Sequence, residues 1–251
     1  MSTEIEKNVS MTIPRQASLF PKRFQVLSGS MLKVIAICAM LIDHVAAFLL
    51  YDNKIVLFTL FGRSVGLYHI MRYVGRIAFP LFAFLVVEGY LHTSNKKKYG
   101  IHLLVFALIS ELPWNLVHTG DWTYSNQNIF FTLLLGYLAV CVFEHFRGKE
   151  QVLLLVAILC FSIVFDADYG LGGVCLILFL YVLREHALLQ ALFGICTLSN
   201  GWAVGLAFVP INLYNQKRGF IRGRLAKYAF YAVYPVHLFI FYLVKLILIS
   251  H

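Results

Sequence analysis

From Met31 onward the chain alternates apolar runs with short polar joints. The runs fall at about 31–51, 75–92, 101–118, 128–146, 151–165, 169–183, 186–200, 201–214 and 226–249. Crossing about 30 Å of hydrocarbon takes roughly 20 apolar residues as a helix. Only helices and closed barrels satisfy every backbone group there. The pattern predicts an all-α, polytopic transmembrane bundle of about nine helices, with eight to ten as the range. The joints "SNKKKYG", "RGKE", "RE" and "NQKRGFIRGR" are basic, whereas "YDN", "HTGDWTYSNQ", "DAD" and "SN" are acidic or neutral. Because the two kinds alternate, the positive-inside rule puts the N-terminus in the cytoplasm and the C-terminus outside. Residues 52–74 mix apolar side chains with Lys54, Arg63 and Arg72 on the expected outer side. They read as a re-entrant or interfacial segment, with a tenth crossing as the alternative. Residues 1–30 read as a polar cytoplasmic arm, with "SLFPKRF" a candidate for lying on the membrane surface, and 31–251 as the integral membrane domain. No cleaved signal peptide is expected.

Composition strengthens the membrane assignment. Of 251 residues 60% are hydrophobic and 13% charged, and mean hydropathy is +0.78, far from an average soluble domain. The net charge of +9 sits in the joints, where topology accounts for it, so nucleic acid is not expected as a partner. The five cysteines stand singly in apolar runs, without the spacing of a disulfide frame or a metal site.

Ionisable residues inside membrane segments are costly, so each is a functional candidate as well as a possible structural partner. In the first segment, "MLIDHVAAF" holds Asp43 and His44, and Lys33 lies eleven residues before His44. Eleven helical steps return to within about 20° of the same face, with an axial separation near 16 Å. That matches the reach of a pantetheine arm, with its phosphates near Lys33 and a thioester near His44. Asp43 points about 100° away from His44, which makes it a better partner for a cation on another helix than an orienter of the imidazole. In the second segment, Pro80 is expected to kink the helix between Arg76 and Glu88. Arg76 is a candidate either for an acceptor carboxylate or for pairing with Asp43.

The third segment carries Glu111, Pro113 and Asn115, and a proline break there would free carbonyls to line a cavity. Asn126, Gln127 and Asn128 follow, as amides that hold an acceptor or cap a helix. The last segment sets Tyr234 three residues before His237 on one helix face. The basic rims at 96–98 and 217–224, including Lys97 and Arg222, are candidates for binding nucleotide phosphates.

The blocks "LKVIAICAMLIDH", "GRIAFPLFAFLVVEGYLHT", "YGIHLLVFALISELPWN", "NQNIFFTLLLGY" and "KYAFYAVYPVHL" occur in this order. Together they resemble the TraX family, named for a conjugative-pilin N-acetylase, over roughly residues 31–245. That family in turn resembles membrane acyltransferases whose first membrane helix opens with a basic residue and a catalytic histidine, spaced as Lys33 and His44 are. The polysaccharide enzymes usually have arginine at the basic position, and lysine lacks the bidentate phosphate geometry.

The resemblance implies transfer of an acetyl group from cytoplasmic acetyl-CoA to a peptide, glycan or lipid acceptor on the outer side. For the name-giving member the acceptor is a pilin amino-terminus, and the expected location is a bacterial inner membrane. In this reading His44 is base or acyl carrier, aided by Asp43 and Arg76. Lys33, Lys97 and Arg222 hold the donor, while Glu111, Asn115, Gln127, Asn128, Tyr234 and His237 face the acceptor, and no metal is required. Two rivals remain: a proton-coupled transporter, since buried Asp, Glu and His also form proton relays, and a non-catalytic membrane scaffold.

Overall fold

Ser28 opens the first membrane helix, its hydroxyl accepting the Met31 N–H at 3.3 Å. In the computed structural model, which describes residues 16–50, 56–60, 63–198 and 201–249, this helix is α1, Gly29–Leu49. Its buried face is a stripe of Gly29, Leu32, Ala36, Ala39 and Met40, and Met31, Val34 and Ile42 face outward. Small residues inward and large apolar ones outward are what close helix packing in lipid requires.

A hairpin, β1 (Val56–Leu60) and β2 (Arg63–Gly66), leads into α2 (Leu67–Gly75) and α3 (Ala78–His92). There follow α4 (Lys96–Thr119), α5 (Ile129–His145), α6 (Gly148–Val164), α7 (Gly170–Val182), α8 (Ala187–Thr197), α9 (Gly201–Gly205), α10 (Phe208–Asn212) and α11 (Gly223–Ile249). Every apolar run of the sequence is therefore helical. Among the described residues four spans are long and apolar enough to cross a membrane: Gly29–Leu49, Leu67–His92, Lys96–Thr119 and Leu225–Leu248. The helices α5 to α8 have 17, 17, 13 and 11 residues, short of the roughly 20 a crossing takes. The chain is a helical membrane protein, and length and composition support four of the nine expected crossings.

The all-α class holds, with one short addition at residues 56–66, where two strands pair antiparallel before α2 packs on α1; residues 51–55 and 61–62 lie outside the described ones. The run 201–214 is split into α9 and α10, and α2 and α3 are separated at Arg76–Ile77. A proline ring clashes with the carbonyl four residues back. Pro80 opposes the carbonyl of Arg76 and Pro210 that of Leu206, so both breaks fall upstream of the prolines rather than at them. By contrast α4 continues through Pro113 and α11 through Pro235.

The described part of the N-terminal arm is anchored to the bundle. Gln16 is buried and donates to Gln190 Oε1 at 2.7 Å, the Ala17 N–H donates to the Arg184 carbonyl at 2.9 Å, and Asn212 Oδ1 accepts the Leu19 N–H at 2.7 Å. Buried amides need partners, and the arm supplies them. Leu19, Phe20 and Phe24 of "SLFPKRF" stay exposed.

Candidate functional site

Two cavities lie at opposite ends of the bundle. The first, of about 580 Å³, is bounded by the start of α1, the end of α3 and the segment leading into α11. This is the basic end, and the cations lining it are Lys33, Arg218 and Lys227, with His92 beside them. The Lys33 ammonium sits 5.1 Å from the centre of the Phe230 ring. The loop bearing Arg218 is fastened to the first turn of α1. Gly29 N–H donates to the Lys217 carbonyl at 2.8 Å, Ser30 N–H to the Arg218 carbonyl at 2.9 Å, and the Ser30 hydroxyl accepts the Ile221 N–H at 2.7 Å. Gly219 makes this approach possible: its φ is +85°, and a side chain there would run into Ser28 and Ser30.

One wall of this cavity holds a buried ion cluster. Arg184 Nη1 lies 2.5 Å from Glu88 Oε1, the Tyr214 hydroxyl donates to Glu88 Oε2 at 2.7 Å, and His92 Nε2 is 3.5 Å from the same oxygen. Glu88 thus has a structural partner set within the bundle. Lys97 and Arg222 lie at the same end, outside the lining of the cavity. Lys97 is exposed, and Arg222 Nε donates to the Gly219 carbonyl at 2.8 Å.

The second cavity, of about 480 Å³, gathers Asp43, His44 and Phe48 from α1, Arg72 from α2, Arg76 from the joint after it, His118 from α4, Asp168 and Tyr169 from the turn before α7, and Tyr234 from α11. Asp43 does pair with a cation from another helix. The cation is Arg72, at 2.5 Å, not Arg76. α2 can come this close because Gly75 faces Asp43, where any side chain would collide with the carboxylate. Arg76 faces the cavity together with Asp168 and acts on it electrostatically. Tyr169 stacks on Phe79 with ring centres 3.7 Å apart.

His44 is not a lone imidazole. Its Nδ1 lies 2.6 Å from His237 Nε2, and His237 Nδ1 lies 2.8 Å from the Val233 carbonyl oxygen. A carbonyl can only accept, so in the neutral pair His237 Nδ1 carries the hydrogen and its Nε2 is a lone pair. His44 Nδ1–H must then be the donor between the rings. This hydrogen-bond logic assigns the tautomers and leaves the Nε2 lone pair of His44 free, the form a general base needs. His237 lines neither cavity and sits behind His44, so its expected contact with an acceptor is replaced by one with the imidazole.

Of the other expected acceptor residues, Tyr234 lines the cavities, and Glu111, Asn115, Gln127 and Asn128 line neither. The Asn128 side chain caps α5 by accepting the Phe130 N–H at 3.1 Å and donates to Glu111 at 2.6 Å. Asn115 donates to the Trp122 carbonyl at 2.7 Å, and the Gln127 backbone bridges to Asp166 and Asp168. Arg72, Asp168 and Tyr169 were not singled out from sequence.

Lys33 and His44 thus line different cavities from the same helix. Met40, Phe82, Ile129 and Tyr234 line both, so the two cavities meet end to end.

These features define an integral membrane protein with a half-buried histidine lining one of two adjoining cavities. The chain belongs to the TraX family: residues 28–245 match the family described as TraX protein. It is 30% identical over 243 residues to a probable fimbrial assembly protein, FimC of serogroup H1, from Dichelobacter nodosus, an alignment covering 84% of this chain and 93% of that protein. No solved structure matches it.

Proposed function

We propose that the protein is a membrane acetyltransferase that takes an acetyl group from acetyl-CoA at its basic, cytoplasmic end and delivers it to an acceptor at the other face. The observation that carries this is that two adjoining cavities share Met40, Phe82, Ile129 and Tyr234 as a common wall, one rimmed with cations and the other lined by His44 amid mixed charge. Lys33, Arg218 and Lys227 suit the phosphates of the donor, and the apolar depth of the first cavity suits its arm. The axial distance of about 16 Å from Lys33 to His44 brings a thioester to the imidazole.

In this reading His44 Nε2 takes the proton of the acceptor amine or hydroxyl as that group bonds to the acyl carbon. As the carbon–sulfur bond breaks, His44 gives the proton to the departing sulfur, leaving acetylated acceptor and free thiol. Arg76 lies in the cavity to steady the oxyanion or orient the acceptor. Since a relative is named as a probable fimbrial assembly protein, the acceptor we favour is the amino-terminus of a pilin-type subunit in a bacterial inner membrane. The test is incubation of the purified protein with radiolabelled acetyl-CoA and candidate acceptors. Label must move to the acceptor and must fail to move with His44→Ala.

Asp168 gives this reading a pH signature. Although the Asp168 side chain is open to the cavity, the protein packed around that cavity pushes its carboxyl up to about 7, against the opposing pull of Arg76. Its charge therefore grows as pH rises through that value. For a cationic amine acceptor, KM is expected to fall between about pH 6 and about pH 7.5, where an α-amino group is still largely protonated. Asp168→Asn is expected to flatten that profile, and an unchanged profile would remove Asp168 from acceptor binding.

A further inference from the structure

The four residues shared by the two cavities are all apolar or aromatic, while the charged groups stand apart on either side. Lys33 and Arg218 lie on one side, Asp43, His44 and Arg76 on the other. Met40 is one turn before His44 on the same face of α1, so the passage narrows about 6 Å short of the imidazole. Two of the four are nearly closed to solvent, Met40 and Tyr234 being each 5% exposed. The Tyr234 ring is backed by Phe130 at 5.4 Å and His237 at 5.5 Å between centres, so it cannot simply swing aside.

We propose that this collar of Met40, Phe82, Ile129 and Tyr234 is a chain-length filter that restricts the donor to short acyl groups. The inference rests on the acyltransfer reading above. For reaction, the thioester carbonyl must stand beside His44 while the sulfur trails back through the collar. The tail of the acyl group then has two places to lie. One is the collar itself, where close packing makes each added methylene felt. The other is the far cavity, where a tail would lie beside the charged Asp43, Arg72, Arg76 and Asp168 as well as against Phe48, Phe79, Trp114 and Leu198, and would displace water from those charges. Acetyl has no tail to place in either, and each added methylene is expected to cost.

The experiment compares kcat/KM for acetyl-, propionyl-, butyryl- and hexanoyl-CoA in the wild-type protein and in Met40→Ala, Met40→Leu and Phe82→Leu. A methylene refused by a packed pocket costs about 10–200-fold, so the wild-type protein is expected to use butyryl-CoA at least about tenfold less well than acetyl-CoA. Met40→Ala and Phe82→Leu are expected to raise the butyryl-to-acetyl ratio at least about tenfold, and Met40→Leu, which conserves volume, to leave it in place. The ratio cancels any loss of folded protein common to both donors. Wild-type use of butyryl-CoA as readily as acetyl-CoA overturns the filter, as does a ratio unmoved in both Met40→Ala and Phe82→Leu while acetyl transfer persists. No transfer from any donor to any acceptor by the wild-type protein overturns the acyltransfer reading itself, and the filter with it.

Discussion

Replacing His44 by alanine is expected to slow acetyl transfer by about 10²–10⁴-fold while donor binding persists. The donor's phosphates would be held about 16 Å away at Lys33, so only the chemical step loses its base. The companion variants separate a base from a packing residue. His237→Phe removes the acceptor of the His44 Nδ1–H hydrogen bond. The tautomer that leaves Nε2 unprotonated then loses its support, and kcat is expected to fall at least about tenfold with little change in KM for the donor. His237→Gln is expected to recover much of the loss. Its amide oxygen can accept from His44, and its NH₂ can donate to the Val233 carbonyl, as the imidazole does. Equal damage from Phe and Gln would mean that His237 only fills space.

The second large effect concerns stability. Arg184→Met is expected to cost about 3–5 kcal/mol, because it leaves the Glu88 carboxylate buried without its guanidinium. Both side chains are almost wholly enclosed, with 4% of Arg184 and 8% of Glu88 accessible, so solvent cannot take over the charge. Tyr214 and His92 remain as partners, and they supply one hydroxyl donor and a weaker contact at 3.5 Å. The double variant Arg184→Met with Glu88→Gln is expected to recover part of the loss, since no isolated charge is then buried. Thermal unfolding in detergent measures both. A single variant as stable as the wild-type protein would show that Glu88 finds compensation elsewhere.

The apolar runs were legible because a membrane segment announces itself by length and composition, and among the described residues each run is helical, with 201–214 divided between two short helices. The Asn128 cap was legible for a similar reason, as a short amide directly before an apolar helix. What sequence could not supply were the partners. Asp43 and Arg72 are 29 positions apart, and His44 and His237 are 193 apart. No local periodicity encodes either pairing. Of the two roles open to Arg76, pairing with Asp43 falls to Arg72 instead, because α2 stops at Gly75 and Arg76 beyond it lines the cavity. Asp168 stood in view in the acidic joint "DAD", and only the turn before α7 carries it under Arg76. Pro80 was expected to bend the second segment and a break does fall just upstream of it, whereas the break expected at Pro113 is absent, α4 running through that residue.

The central claim is that donor and acceptor reach one imidazole from opposite faces of the membrane. Its most direct measurement uses sealed vesicles holding the protein in one known orientation, with labelled acetyl-CoA on one side and a membrane-impermeant peptide amine on the other. Labelled peptide is expected when acetyl-CoA is supplied at the face bearing Lys33, Arg218 and Lys227, and none when the two reagents are exchanged. Transfer only when both reagents share a face would contradict it, as would unmodified peptide moving across the vesicle without label.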